Sequence, residues 1–238
     1  MVSKNSNAKD DKEEAIVEAE KIAAEAAALG QAAPVPPKPK ETTPAKGKDE
    51  DTAERYRLFV PRKIFFTKGV GTHKRELRSF ELALRDAGIE KFNLVQVSSI
   101  LPPGCKVVSR NEGLSNLLPG MVAYTVLARC SSNEPHRLIV ASIGCAVPAE
   151  QDAYGYLSEH HACGETEKTA GDYSEDLAAA MLASTLGIEF DEDQSWDEKK
   201  EEFKISDKIV KTTNVTQSAV ISPSGEYTTV VAAAVFLF

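Results

Sequence analysis

The sequence lacks the features that mark nucleic-acid-binding and membrane proteins. Lysine and arginine number 28 against 36 acidic residues, giving a net charge of −8, and no basic stripe is present to bind phosphate. The longest apolar run, residues 230–238, is too short to span a bilayer, and residues 1–7 lack the apolar core of a signal peptide. We therefore expect a cytoplasmic protein with neither a nucleic-acid nor a membrane partner.

Cysteine is scarce and the common catalytic motifs are missing. No two of the four cysteines have the spacing of a zinc knuckle or a redox pair, so we expect free thiols in a reducing compartment. No Gly-x-Ser-x-Gly elbow surrounds any serine. Gly69-Val-Gly71 lacks the third glycine of a dinucleotide fingerprint, and it predicts a tight strand-to-helix turn instead.

Composition divides the chain near residue 57. Residues 13–29 are strong helix formers whose apolar members are mostly alanine, and five prolines follow between residues 34 and 44. Such a segment cannot bury enough apolar surface to offset its ordering entropy. We predict a disordered or partly helical extension with a proline-rich linker over 1–57, and one folded domain over 58–238.

The folded part alternates many strand patterns with two helical ones. Helical spacing predicts helices over about 73–87 and 165–186, and two hairpins are expected, one joining 121–130 to 137–147 and one closing the chain over 208–238. We predict that the first helix buries Leu77, Phe80, Leu84 and Ala87. The second should bury Ala170, Tyr173, Leu177, Ala180 and Met181. Many strands with few helices indicate an α+β layered domain.

Residues 158–165 hold the densest group of potential ligands. His160, His161 and Glu165 could bind a metal as in a hydrolase, but adjacent histidines on a strand point to opposite faces. Glu159, in a partly apolar strand, is a better candidate for proton donation, because desolvation raises the pKa of a carboxyl group. We expect no metal and retain the metal hydrolase as an alternative.

The stretch 80–103, with Asn93, the pair Ser98-Ser99 and Pro102, closely resembles the self-cleavage region of pyruvoyl-dependent arginine decarboxylases. Downstream, 154–159 resembles the strand that carries the family's catalytic glutamate, here Glu159. The second helix and the closing strands follow in the expected order, so the resemblance covers about residues 58–238.

The resemblance implies a cofactor made from the chain itself. The Ser99 hydroxyl would attack the Ser98 carbonyl, and the chain would break between them into a β chain ending at Ser98 and an α chain beginning with a pyruvoyl group. Asn93 would donate to the oxyanion or position the reacting groups. The pyruvoyl ketone would form a Schiff base with the substrate amine, and Glu159 would protonate Cα. No pyridoxal phosphate or metal is implied.

The substrate implied is arginine, converted to agmatine and carbon dioxide. Glu81, twelve residues before Asn93, stands where the family has an acid that pairs with the guanidinium. It is one methylene longer than the expected aspartate, so a decarboxylase for another amino-acid substrate, such as histidine, is an alternative. Pairing of Glu81 with Arg85 at i+4 is the structural alternative.

The implied fold is a four-layer αββα sandwich, assembled as a trimer or doubled trimer of cleaved αβ pairs with active sites between subunits. The alternative from another functional class is a non-catalytic protein. It would be an uncleaved relative of the family that acts as a binding or regulatory subunit.

Overall fold

A computed structural model describes residues 59–187 and 209–238, so the extension predicted over 1–57 lies outside the described residues. The strands are β1 (Lys63–His73), β2 (Asn93–Gln96), β3 (Ile100–Leu101), β4 (Lys106–Val108), β5 (Val122–Ser132), β6 (Leu138–Pro148), β7 (Gly155–Cys163), β8 (Ile209–Val220) and β9 (Tyr227–Leu237). The helices are α1 (Glu76–Ala87), α2 (Arg110–Ser115) and α3 (Glu167–Thr185). No helix within these ranges is long and apolar enough to cross a membrane.

The elements form four layers, as predicted. The first sheet has the order β2-β5-β9-β1-β4 and the second has the order β3-β7-β6-β8. Side chains such as Val126 and Val230 from the first sheet and Ile143 and Leu157 from the second make a shared core between the sheets. Helix α1 packs on the outer face of the first sheet and α3 on the outer face of the second. The α+β class and the αββα sandwich are confirmed.

Neither predicted hairpin exists. Strand β5 lies in the first sheet and β6 in the second, and β8 and β9 are likewise divided between the sheets. The two connections lie side by side, because His136 N–H donates to the Ile221 carbonyl and Ile221 N–H donates to the Arg137 carbonyl, each at 3.0 Å. Strands β6 and β9 are buried at nearly every position. Without an exposed face, they carry no alternation that could reveal which strand pairs with which.

The predicted turn at Gly69–Gly71 is also wrong, because both glycines lie inside β1 and α1 begins only at Glu76. A Cβ atom at Gly69 would lie 2.2 Å from the Ala83 carbonyl oxygen, so the glycines let α1 pack directly on the strand backbone. Leu77, predicted to be in the core, is 78% exposed. The buried residues of α1 are small: Ser79, Ala83 and Ala87.

Helix α3 approaches the second sheet in the same way. A Cβ atom at Gly144 on β6 would lie 2.0 Å from the Ser174 carbonyl oxygen. The buried residues of α3 are Ala170, Gly171, Ser174, Ala178, Ala179, Leu182 and Ala183. Of the predicted face only Ala170 is buried, and Tyr173 is 52% exposed. Apart from Leu182, the buried residues of α3 are small, because only such residues fit where the helix lies so close to the strand backbone.

Candidate active site

The pair Ser98-Ser99 lies where the chain passes from the first sheet to the second. Val97 N–H donates to the Thr125 carbonyl of β5 at 3.0 Å, which extends the pairing of β2 in the first sheet. Leu157 N–H donates to the Ser99 carbonyl at 2.7 Å, which begins the pairing of β3 with β7 in the second. The crossover between the sheets, residues 97–99, is therefore fixed at both ends, at Val97 to the first sheet and at Ser99 to the second.

The residues after the crossover anchor it to the second sheet. Leu101 is buried in the inter-sheet core and pairs with Gly155 at the start of β7. A side chain at Gly155 would lie 2.3 Å from the Ala146 carbonyl oxygen, so only glycine fits at this crowded strand start. Cys105 N–H donates to the Pro102 carbonyl at 3.1 Å and turns the chain away after the two prolines. If the chain is cut before Ser99, residue 99 becomes a new chain start. The turn that begins at Pro102, three residues further on, would hold this start in place.

Glu159 lies on the same strand as the hydrogen-bond donor to Ser99, two residues further along. Side chains alternate along a strand, so Glu159 shares a face with Leu157, which belongs to the inter-sheet core. Strand β3 covers β7 only at Gly155 and Tyr156, so the edge of β7 beside Glu159 has no paired strand among the described residues. Glu159 as a whole residue is exposed in a single chain. Its carboxyl group is nevertheless partly desolvated, which raises its pKa, and the charge of neighbouring His161 partly opposes this rise.

The two histidines point away from each other, as expected for adjacent strand residues. His160 faces α3, where its Nε2 atom lies 2.9 Å from Glu165 Oε2 and its ring packs on Tyr173 with a centroid distance of 4.5 Å. His161 lies on the Glu159 side of the strand. Among the described residues, no three potential ligands come together. The metal-hydrolase alternative therefore has no site in this part of the chain.

Asn93 lies at the far end of β2 from the serine pair. Its side-chain amide donates to the Gly120 carbonyl at 2.8 Å, and its backbone N–H donates to the Met121 carbonyl. Ser99 is the sixth residue after Asn93, which corresponds to roughly 20 Å of extended chain. Within one chain, the structure does not bring Asn93 to the bond that it was predicted to help cleave.

Glu81 lies on α1, on the opposite side of the first sheet from the inter-sheet core. Its Oε1 atom lies 2.5 Å from Arg85 Nη2 and its Oε2 atom 2.7 Å from Arg78 Nη1. The hydrogen bond from Arg85 and the charges of both arginines lower the pKa of this carboxyl group. The predicted pairing with Arg85 is confirmed, and Glu81 already binds guanidinium groups on both oxygens.

An apolar cavity of about 510 Å³ opens beside the crossover. Its lining includes Val97, Ser98, Ile100, Pro102, Tyr124 and Phe236. The sequence did not single out Tyr124 or Phe236, because each lies in a long apolar segment with nothing to distinguish it from its neighbours. Leu157 was missed for a different reason, since its contribution is a backbone N–H that any residue would supply.

Comparison with known proteins places these features in a family. Residues 63–238 match the family model described as pyruvoyl-dependent arginine decarboxylase. The chain is 62% identical over 179 residues to a probable pyruvoyl-dependent arginine decarboxylase of Chloroherpeton thalassium, covering 75% of this chain and 98% of that protein. It is 58% identical, with the same coverage, to pyruvoyl-dependent arginine decarboxylase 2 of Methanosarcina acetivorans. With its four-layer fold and its serine pair beside a glutamate, the chain belongs to the pyruvoyl-dependent arginine decarboxylase family.

Proposed function

We propose that this protein cleaves itself between Ser98 and Ser99 and then converts arginine to agmatine and carbon dioxide. The observation that carries the proposal is the hydrogen bond from Leu157 N–H to the Ser99 carbonyl, two residues from Glu159. Ser99 and Glu159, whose carboxyl group has a raised pKa, therefore lie on adjacent segments, and this supports their roles as cleavage site and acid. The family membership supplies the chemistry for which this arrangement is suited.

In the cleavage step, the Ser99 hydroxyl attacks the Ser98 carbonyl carbon and the peptide bond becomes an ester. Loss of the Ser99 Cα proton breaks the bond between Cβ and Oγ, which leaves Ser98 with a free carboxylate and residue 99 as a dehydroalanine. Water then replaces the amino nitrogen as ammonia, and a pyruvoyl group remains. The two anchors at Val97 and Ser99 limit the movement of the segment in which this happens.

The residues around Ser99 fit such a group. The Ser99 carbonyl, which the cleavage leaves in place, accepts a hydrogen bond from Leu157 N–H and is thereby held in a fixed orientation. A pyruvoyl group supplies a ketone that condenses with an amine and accepts electrons from a breaking carbon–carbon bond. Glu159 retains its proton to higher pH than an ordinary glutamate, because burial raises its pKa, and it would donate that proton to the substrate Cα.

The remaining predicted residues act, we propose, across an interface between copies. Glu81 is on the outer helix layer and Asn93 is a strand length from the serine pair, so a second copy must bring them to Ser99 and Glu159. Glu81 is suited to the substrate guanidinium because it already accepts hydrogen bonds from an arginine side chain. An assembly of cleaved pairs as a trimer or doubled trimer would provide such an interface.

We further assign residues 58–238 to the catalytic domain and 1–57 to an extension outside it. The family match begins at residue 63, which supports a boundary in this region. We place the protein in the cytoplasm, where the four cysteines, all unpaired in the structure, would stay reduced.

Intact mass spectrometry and a denaturing gel test the proposal. Wild-type protein should give two chains of roughly 11 and 15 kDa, in proportion to the 25.8 kDa total, and Ser99→Ala should give one. Ser98→Ala is the matched control and should still be cut, because it keeps both the attacking hydroxyl and the carbonyl. Wild-type protein that stays in one piece would refute the proposal.

Labelled substrates test the reaction and the sharing of sites. Carbon dioxide should be released from arginine faster than from histidine or lysine. At an arginine concentration below the wild-type KM, Glu81→Ala should have little activity and Ser99→Ala none, and co-expression of the two chains should restore activity in mixed oligomers. Activity of Glu81→Ala alone equal to that of wild type would remove Glu81 from the site.

A further inference from the structure

Two cysteines from opposite sheets meet at the end of the strand that carries Glu159. Cys130 lies on β5, and Cys163 is the last residue of β7. The Cys130 thiol lies 3.7 Å from the carbonyl oxygen of Ala162, the residue before Cys163. The two thiols are close enough to interact electrostatically. Cys130 belongs to the inter-sheet core, and Cys163 shares the Leu157 face of β7, so both thiols lie in the layer between the sheets.

The two thiols differ in their access to solvent. Cys163 is exposed, whereas Cys130 is only 8% exposed. Burial, together with the neighbouring Cys163, raises the pKa of the Cys130 thiol to about 11. Cys163 is therefore the thiol that an oxidant in solution meets first, and Cys130 is a protected neighbour that can react only with Cys163.

A covalent bond between Cys130 and Cys163 requires the backbone at the end of β7 to move. A disulfide requires Cα atoms about 4.4–6.8 Å apart, closer than the ~10 Å between stacked sheets, so the end of β7 must approach β5. Gly164 follows Cys163 with a φ angle of 88°, and a Cβ atom built on it would have no atom within 4 Å. The strand end is thus followed by open space and by the residue type that adjusts most easily.

We propose that Cys130 and Cys163 form a reversible disulfide when the protein meets hydrogen peroxide. The Cys163 sulfur takes one oxygen from the peroxide to become a sulfenic acid, and one water is released. The Cys130 sulfur then displaces that oxygen as a second water, the two thiol protons leave within the waters, and the S–S bond forms. A dithiol reductant reverses the reaction: it becomes a disulfide itself and returns Cys130 and Cys163 to free thiols.

The bond would join the two sheets covalently within residues 99–238. Because both cysteines follow residue 99, the proposal stands whether or not the chain is cut at Ser98. Closing the loop between them restricts the unfolded chain, so the oxidised protein should unfold several degrees higher than the reduced protein. The other two cysteines should stay reduced because neither is exposed to an oxidant as Cys163 is: Cys145 is fully buried and Cys105 is only partly exposed.

Thiol counting and peptide mapping test the proposal on the full-length protein. Treatment with a small excess of hydrogen peroxide should lower the free thiols from four to two and the mass by about 2 Da. A Cys130–Cys163 peptide should appear under non-reducing conditions and vanish after dithiothreitol. Cys105→Ser is the matched control and should form the same peptide with one thiol left.

Substitution at the exposed position separates this disulfide from general oxidation. Cys163→Ser should keep its three thiols under the same treatment and should show no rise in its unfolding temperature. The proposal is wrong if wild type retains four thiols, if Cys163 ends as sulfinic acid with Cys130 free, or if the bond joins different molecules. Each of these outcomes is read from the peptide map and not from enzyme activity, so the proposed decarboxylation can fail without affecting the result.

Discussion

Replacing Gly144 with alanine should separate α3 from the sheet that carries Glu159. The new Cβ atom would lie 2.0 Å from the Ser174 carbonyl oxygen and 2.3 Å from its carbon, and both are backbone atoms of α3. Since ordinary contact begins at 3.4 Å, the helix must move outward by about 1.4 Å. Side-chain rotation cannot relieve a clash between backbone atoms and a Cβ.

That displacement breaks the hydroxyl network beneath the helix. Ser158 donates to the Ser174 carbonyl at 2.5 Å, and the hydroxyls of Ser142 and Ser174 lie 2.7 Å apart. A shift of this size takes both pairs beyond hydrogen-bonding distance, at about 1 kcal/mol each. Overpacking adds about 1–3 kcal/mol. The free energy of unfolding should therefore fall by about 3–5 kcal/mol. One of the lost hydrogen bonds is made by Ser158, the residue next to Glu159.

Urea unfolding followed by far-ultraviolet circular dichroism measures this change. Wild type and variant must be compared at one protein concentration, because association contributes to the stability of oligomers. Gly164→Ala is the control: its φ angle of 88° gives it the strain of a left-handed alanine, about 1–2 kcal/mol, with no neighbour to clash. If Gly144→Ala is as stable as Gly164→Ala, the close packing of α3 on β6 is not the constraint we describe.

Three further predictions concern the ionisable residues. Glu159→Gln should leave cleavage intact on a gel but lower the rate of carbon dioxide release by about 10²–10⁴-fold. Burial raises the folded-state pKa of Glu159, so its charged form destabilises the fold above that pKa. Glu159→Gln should therefore gain stability over wild type in urea as the pH rises through that pKa, with no difference below about pH 4. Glu81→Ala should raise KM for arginine while cleavage proceeds, and Glu81→Asp should retain more of the binding.

Local signals in the sequence predicted the two main helices, and the family resemblance implied the four layers. Gly88 ends α1 in the left-handed conformation, at the position where the spacing predicted a helix end. The serine pair and Glu159 were chosen through the resemblance, and they lie on neighbouring segments, while their roles stay predictions. Each of these features depends on a few consecutive residues, which a sequence displays directly.

Features that depend on contacts between distant segments could not be predicted. The assignment of β5 and β6 to different sheets depends on partners 61–110 residues further along the chain, and their buried patterns do not distinguish a crossover from a hairpin. The inward faces of both helices were predicted only in part. Ala87 and Ala170 are buried and Phe80 and Leu84 pack against the core, but Leu77 and Tyr173 are exposed. At Gly69 and Gly144 the helix backbone comes too close to the strand for a large side chain between them. Asn93 and Glu81 were chosen through the resemblance, and in one chain their side chains contact Gly120 and Arg85.

The position of β1 decides what becomes of the two products of cleavage. Strand β1 belongs to the first product, yet it is inserted between β9 and β4 of the second and pairs with β9 over its whole length. The cut protein would therefore be a tightly held pair of fragments, in which neither piece can leave without opening the first sheet. Once unfolded, it would have to reassemble from two molecules, so recovery should depend on concentration, unlike the first folding of the uncut chain.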